Sequence, residues 1–255
     1  MELKVTPKQL EILTLLYRFR FLNRHHIQQL LHHKDTKTIN TWLKDLTDKK
    51  IIGRHYSARL KENTKPAIYF LVAKSRYILI KQPSVDEKLI KQRIYREKSR
   101  SQKFIAHHLA MADFYLDLLT TLKNDKLHFF TKTDLSRHYY LPYNRPDAYI
   151  AREAKKETKR YFLEIIDEGT PRFIIRKRIE QFIDYYDSNK WQETVGHVFP
   201  AVLILCPNDQ IKEFLHKYIS QKLEEEIQAD IDFYLSLKVN IKWVNALEDV
   251  EKASE

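Results

Sequence analysis

Glycine is scarce, with three in 255 residues. Without a Gly-rich loop the chain cannot cradle a nucleotide phosphate as P-loop and dinucleotide-binding folds do, which excludes both. Cysteine is scarcer still: the single Cys206 rules out an intramolecular disulfide, and its place in an apolar run reads as a buried thiol. No apolar run approaches the roughly 20 residues of a membrane-spanning helix. Met1-Glu2-Leu3-Lys4 lacks the apolar segment of a secretory signal, so the expectation is a cytoplasmic protein with no membrane partner. His-x-His is also missing. Histidines come instead as adjacent pairs (His25-His26, His32-His33, His107-His108), whose side chains diverge by about 100° on a helix and rarely chelate one ion. A nicking site made of a tyrosine beside a His-x-His metal cluster is therefore not expected, and Tyr139-Tyr140 and Tyr185-Tyr186 read as core and surface aromatics.

Positive charge is in excess, and it is concentrated. Residues 1–100 carry 23 Lys/Arg against 9 Asp/Glu, a net +14, whereas the rest carry 22 against 25, a net −3. A basic half joined to a slightly acidic one suits a polyanion-binding module fused to a second domain. Thr6-Pro7-Lys8-Gln9 is a capping box with proline at the first helical position, and Leu10, Leu13 and Tyr17 supply an apolar helix face. A second helix is expected after Asn23, with Ile27, Leu30 and Leu31 inward. A third is expected after Asp35 or Thr36, with Ile39, Trp42 or Leu43, and Leu46 inward.

The outer side of that third helix presents Lys37, Asn40, Thr41 and Lys44, groups able to reach base edges and phosphates in a major groove. Taken alone, such a face equally suits a solvated helix. Two strands follow, Ile51–Tyr56 and Ala67–Leu71, around a polar turn. Three helices and a basic hairpin predict a winged helix-turn-helix over residues 1–82, with Arg54, Arg59, Lys61 and Lys65 placed to touch phosphate. Residues 83–101 are expected to be a basic helical linker that extends the DNA-facing surface.

Residues 102–250 predict an α/β (α+β) domain with a mixed sheet, in the order α-β-β-β-α-β-α-β. Its strands are expected at 127–130, 148–150, 161–166, 199–206 and 239–244. Asp147 and Glu164 on neighbouring strands, with Asp113 from the preceding helix, make a hard-oxygen set suited to Mg²⁺ or Mn²⁺. This arrangement resembles the PD-(D/E)xK nuclease fold, in which Pro-Asp is followed by an acid, any residue and Lys, and then by a helix with Gln and Tyr. Pro146-Asp147, Glu164 and Gln181 match that pattern. Ile166 stands where the lysine belongs, Lys177 is the nearest substitute, and Asp167 is a further candidate ligand. The opposing possibility is that Asp147 is a turn acid and Glu164 an ion-pair partner.

The chain also resembles the replication-relaxation family of plasmid and mobile-element proteins. The segments that carry the resemblance are Tyr69–Val72, His107–Asp113, Pro146-Asp147-Ala148, Phe162–Thr170, a helix with Lys177 and Tyr185, and Phe199-Pro200. Relatives read Glu-x-Asp before Gly-Thr, whereas Glu164-Ile165-Ile166-Asp167 holds one more residue, which reverses the face of Asp167. The resemblance implies a role in plasmid replication, relaxation or transfer, with double-stranded DNA, replication or transfer proteins and a second copy of the chain as partners. Two readings stand: a DNA-binding factor with a non-catalytic second domain, and a metal-dependent nicking endonuclease using Asp147 and Glu164.

Overall fold

The computed structural model describes residues 4–56, 66–123, 125–155, 157–225 and 230–247. It divides into two compact units, Met1–Thr121 and Leu122–Glu255.

In the first unit α1 (Pro7–Phe19) begins at the anticipated capping box: Gln9 N donates to Thr6 Oγ1 at 3.2 Å and Thr6 N to Gln9 Oε1 at 2.9 Å. Its buried face is Ile12, Leu13, Leu16, Tyr17 and Phe19. A short β1 (Leu22–Asn23) leads into α2 (Arg24–Leu30), capped by Asn23, whose side chain accepts from His26 N at 2.9 Å. α3 (Thr36–Asp48) starts at Asp35, whose carboxylate accepts from the backbones of Lys37 and Thr38, each at 2.9 Å. Those bonds and the one from the Thr38 hydroxyl favour the ionised carboxylate and hold it below its ordinary pKa, with the Thr38 hydroxyl contributing most.

β2 (Ile52–His55) and β3 (Ile68–Leu71) form the hairpin, and β1 pairs with the other side of β3, giving the antiparallel order β1-β3-β2 of a winged helix-turn-helix. Gly53 is required there: a Cβ at this position would lie 2.5 Å from the Phe70 ring. After the short α4 (Arg76–Leu79) come α5 (Glu87–Ile94) and α6 (Gln102–Thr121).

The segment expected to be a linker is built into this unit. Ile90 and Ile94 of α5 are buried, and the Glu97 carboxylate lies 2.7 Å from Arg20 Nη2. Arg93 is brought down to about 10, first by burial and then by Arg20, so it is no part of a solvent-facing basic surface. α6 likewise belongs to the first unit, and the division falls after Thr121 instead of before Gln102.

The second unit comprises β4 (Lys126–Thr131), β5 (Ala148–Ala154), β6 (Glu157–Ile165), α7 (Arg172–Asp187), α8 (Lys190–Val195), β7 (Ala201–Cys206), α9 (Asp209–Glu225), β8 (Phe233–Leu237) and β9 (Val244–Asn245). The sheet order is β4-β5-β6-β7-β8-β9; the β6-β7 and β7-β8 pairs are parallel and the others antiparallel. This is the expected mixed-sheet α/β architecture, of the PD-(D/E)xK-like kind. The strand expected at 239–244 lies earlier, at Phe233–Leu237. Ile231, Phe233 and Leu235 alternate into the core, while Val239 is 92% exposed.

Phe162, Val202, Ile204, Phe233 and Leu235 of the sheet pack in one cluster with Ile179 and Phe182 of α7 and Leu215 and Ile219 of α9. Full burial of each such side chain stabilises the fold by about 1.5–3 kcal/mol. Cys206 lies in this core, and burial pushes its thiol up to about 12, which leaves it unreactive.

Candidate functional site

In the first unit α3 separates its two faces cleanly. Ile39, Leu43 and Leu46 are buried, whereas Lys37, Asn40, Thr41 and Lys44 are all exposed. Positions 37, 40, 41 and 44 follow the i, i+3, i+4, i+7 spacing of one helix face, so the four side chains emerge together. Lys44 Nζ lies 2.5 Å from Asp48 Oδ2, but both side chains are largely exposed, and such pairs contribute little and yield easily to another anion. The Thr41 hydroxyl donates to Lys37 O at 3.0 Å, which orients it along the helix. Trp42 is half-buried, edge-on to His33 at 5.1 Å, so Leu43 is the true core position. Arg54 on β2 is exposed, with its guanidinium 5.9 Å from the Tyr56 ring centroid. Arg59, Lys61 and Lys65 fall in residues 57–65, outside the described residues.

In the second unit Asp147 and Glu164 face each other. β5 and β6 pair Ala148 with Leu163, so residue 147 stands opposite 164 on the same face of the sheet. Asp147 is buried and fixed by its backbone and side chain alike: its N–H donates to Leu163 O at 2.9 Å, and its Oδ2 accepts from Ile165 N at 2.9 Å. Two residues beyond Glu164, on the same face, Ile166 is buried in the cluster shared with α7 and α9. An aliphatic side chain thus fills the direction in which the family lysine would extend.

Cations reach the carboxylates from elsewhere. Arg178 of α7 is buried, and its Nη2 donates to Glu164 Oε2 at 2.7 Å and to Arg145 O at 2.9 Å. Its Nη1 donates to Asn144 O at 2.5 Å and to Gln181 Oε1 at 3.2 Å, and the guanidinium lies 4.5 Å from the Phe182 ring centroid. Lys132 Nζ lies 3.8 Å from Asp147 Oδ1 at the rim. Burial opposes the charge on Arg178, yet Glu164 and Asp147 outweigh it and hold the guanidinium above its ordinary value. Burial also raises the Glu164 carboxyl; Arg178 opposes that shift and Asp147 adds to it.

Several sequence expectations are corrected by this geometry. Lys177 is exposed, one residue and about 100° around the helix from Arg178, which takes the inward place assigned to Lys177. Gln181 serves the guanidinium, and its Oε1 also accepts from Asn144 Nδ2 at 3.1 Å. Asp113 lies in the first unit, where its Oδ1 is 2.7 Å from Nε2 of the buried His26. Asp167 lies 3.3 Å from Lys238 Nζ.

The set is a poor fit for Mg²⁺ or Mn²⁺. Six or more oxygen ligands suit such ions, but among the described residues no three His, Cys, Asp or Glu side chains gather at one point. The oxygen that Glu164 would offer is bound to a guanidinium that is itself fixed by four hydrogen bonds. When all four groups are ionised, Arg178 and Lys132 balance Asp147 and Glu164, and no uncompensated negative charge remains to draw a dication.

A sequence family described as replication-relaxation matches residues 13–202. The chain belongs to the replication-relaxation family. The match spans both units, from α1 into β7. No curated protein matches the sequence. Among solved structures, a mutant of ZitR from Lactococcus lactis is similar at 16% identity and a TM-score of 0.28, over 48% of this chain and 77% of that one. Restriction endonuclease FokI is similar at 13% identity and a TM-score of 0.33, over 91% of this chain but 41% of FokI. FokI bound to DNA gives 12% and 0.29, over 90% of this chain and 42% of that one. This chain therefore corresponds to about two fifths of FokI, and its fold is described from its own topology. No described helix is long and apolar enough to cross a membrane.

Proposed function

We propose that this replication-relaxation protein is a duplex DNA-binding factor of a plasmid or mobile element, acting in replication initiation, relaxation or transfer. In this reading the winged helix grips DNA and the second unit is a non-cleaving scaffold. The observation that carries the first half is the α3 face: Lys37, Asn40, Thr41 and Lys44 emerge together from a helix anchored by Ile39, Leu43 and Leu46. The amide and hydroxyl read base edges in the major groove, and the lysines neutralise phosphates and release condensed counterions. Arg54 on the hairpin supplies a backbone contact that positions the module without reading sequence. Binding of the full chain to labelled duplex should weaken steeply with salt. The Lys37→Ala, Lys44→Ala double variant should lower the slope of log affinity against log salt by about two. An unchanged slope would remove α3 from the interface.

The second half rests on Arg178 and Ile166. A nicking enzyme of the PD-(D/E)xK kind needs a metal between its acids and a cation aimed at the attacking water. Here Glu164 is bound to Arg178, and the lysine position holds a core aliphatic. The retained opposition of Asp147 and Glu164 is what favours the endonuclease reading. Supercoiled plasmid incubated with the protein and Mg²⁺ or Mn²⁺ should stay intact. Nicking that Glu164→Ala abolishes would instead establish the endonuclease.

A further inference from the structure

The loop from Arg137 to Asn144 in the second unit presents two tyrosines to solvent, and neither is used by the site described above. Tyr143 is 100% exposed and Tyr139 is 92% exposed, which makes them the two most exposed large aromatic rings among the described residues. Loop tyrosines often keep some exposure, but these rings project from a loop held firmly in place. Leu141 N donates to His138 O at 3.3 Å, closing a turn with Tyr139 at its tip. Next to it Tyr140 packs on Trp191 with ring centroids 6.1 Å apart, and Leu141 is buried. Arg145 ties the far end of the loop back to its start, donating to Leu135 O at 3.0 Å and Ser136 O at 3.1 Å. The carbonyls of Asn144 and Arg145, directly after Tyr143, are the ones that receive Arg178. Two apolar rings held in water on a braced loop have no role in folding this unit.

The charge around them is of the opposite sign to the rest of the unit. Residues 122–255 carry 21 Lys/Arg against 23 Asp/Glu, whereas residues 132–146 carry Lys132, Arg137 and Arg145 against Asp134 alone. Lys132 and Arg137 are exposed. Flat aromatic faces beside cations are what unpaired bases and their phosphates require: the rings stack on bases of any sequence, and the cations follow the backbone. A protein segment as occupant would leave the cations unexplained. Paired bases cannot stack on side chains without being pulled from the helix, so duplex DNA is a poor occupant too.

We propose that the Arg137–Asn144 loop is a stacking platform for single-stranded DNA, with Tyr139 and Tyr143 each receiving a base. The choice of DNA over RNA rests on the duplex reading of the first unit; the stacking itself does not. Because the loop is already fixed, binding would cost little ordering entropy. The platform would hold a melted strand while the winged helix holds neighbouring duplex.

The test uses the full chain and a fluorescent oligo-dT of about 20 nucleotides, with oligo-rU and a duplex as separate arms. Truncating an exposed stacking ring to alanine should weaken oligo-dT binding by between about fivefold and a hundredfold. Tyr139→Phe and Tyr143→Phe should bind like the parent, since stacking needs the ring and not the hydroxyl. Photocrosslinking an oligo-dT that contains 5-iododeoxyuridine should mark Tyr139 or Tyr143. Duplex affinity should not change in any of these variants, whereas the Lys37→Ala, Lys44→Ala variant should lose duplex binding and keep its crosslink at the loop. Failure of the duplex reading therefore shows in a different arm from failure of this one. Alanine variants that bind oligo-dT like the parent, or crosslinks found only elsewhere, would overturn the platform. Phenylalanine variants as weak as the alanine ones would overturn stacking, and preference for oligo-rU would overturn the choice of DNA.

Discussion

Lys37 and Lys44 on α3 and Arg178 on α7 are all cations in the middle of amphipathic helices, but they sit on opposite sides of them. The lysines stand on the solvent side, opposite Ile39 and Leu43, where their charge is free for a partner that arrives from solution. Arg178 stands on the core side, in line with Ile175, Ile179 and Phe182, where its charge is consumed by Glu164 and by two backbone carbonyls. The same contrast runs through the two units. The first keeps its polar groups on a free surface, as a binding module must. The second satisfies its polar groups among themselves, which makes a site that resembles a catalytic one into a brace between β6, α7 and the loop before β5.

That difference is broken most directly at Arg178. Arg178→Ala leaves Glu164 and Asp147 facing each other in a buried place, and the loss of one partner of such a pair costs about 3–5 kcal/mol. Denaturant unfolding at neutral pH should report that loss, with a smaller one for Arg178→Lys, which keeps the charge but not the fork of donors. The pH dependence has a definite sign. Glu164 already binds its proton more tightly when folded than its ordinary value implies, and removal of Arg178 increases that preference. The penalty should therefore shrink as the solution is acidified, and grow as pH rises through the raised value of the folded carboxyl. A penalty independent of pH would mean that Glu164 is not the group left unpaired.

A somewhat smaller effect should appear with metal. Mn²⁺ should not move the melting temperature of the parent protein, because the guanidinium already fills the place of the cation. In Arg178→Gln the carboxylates are released, and Mn²⁺ should then stabilise the fold, by about 2.7 kcal/mol at a hundredfold excess over its dissociation constant. Asp147→Asn in that background should abolish the gain. A shift in the parent that Asp147→Asn removes would show instead that the ion displaces Arg178, and would return the nuclease reading to first place.

The smallest effects belong to the exposed face, and they sharpen the division of labour within it. Arg54→Ala should weaken binding to every duplex about equally and lower the salt slope by about one. Asn40→Ala should change the ranking of sites by about 1–3 kcal/mol at one base pair. A competition assay across a randomised duplex pool separates the two, and a change of site preference in Arg54→Ala would mean that the wing reads bases.

Much of this molecule was legible along the chain. The capping box at Thr6, the N-caps at Asn23 and Asp35, the polar stripe on α3 and the opposition of Asp147 and Glu164 all follow from local rules, in which spacing alone decides which side chains share a face. Arg178 also left a mark, since it interrupts the apolar stripe of Ile175, Ile179 and Phe182, where an arginine must find a buried partner; Lys177 lies off that stripe. The identity of the partner was not legible, because Glu164 and the carbonyls of Asn144 and Arg145 come from three separate stretches of chain. Asp113 and residues 83–101 were misjudged for the same reason: a charged side chain reads as solvent-facing or ligating until the element packed beside it is known. Sequence by itself determined the order of elements and the face on which each polar group stands, since both depend on periods of a few residues. Only the tertiary structure decided which charges remain free and which cancel, since that depends on contacts between residues far apart in the chain and on how much water each group loses.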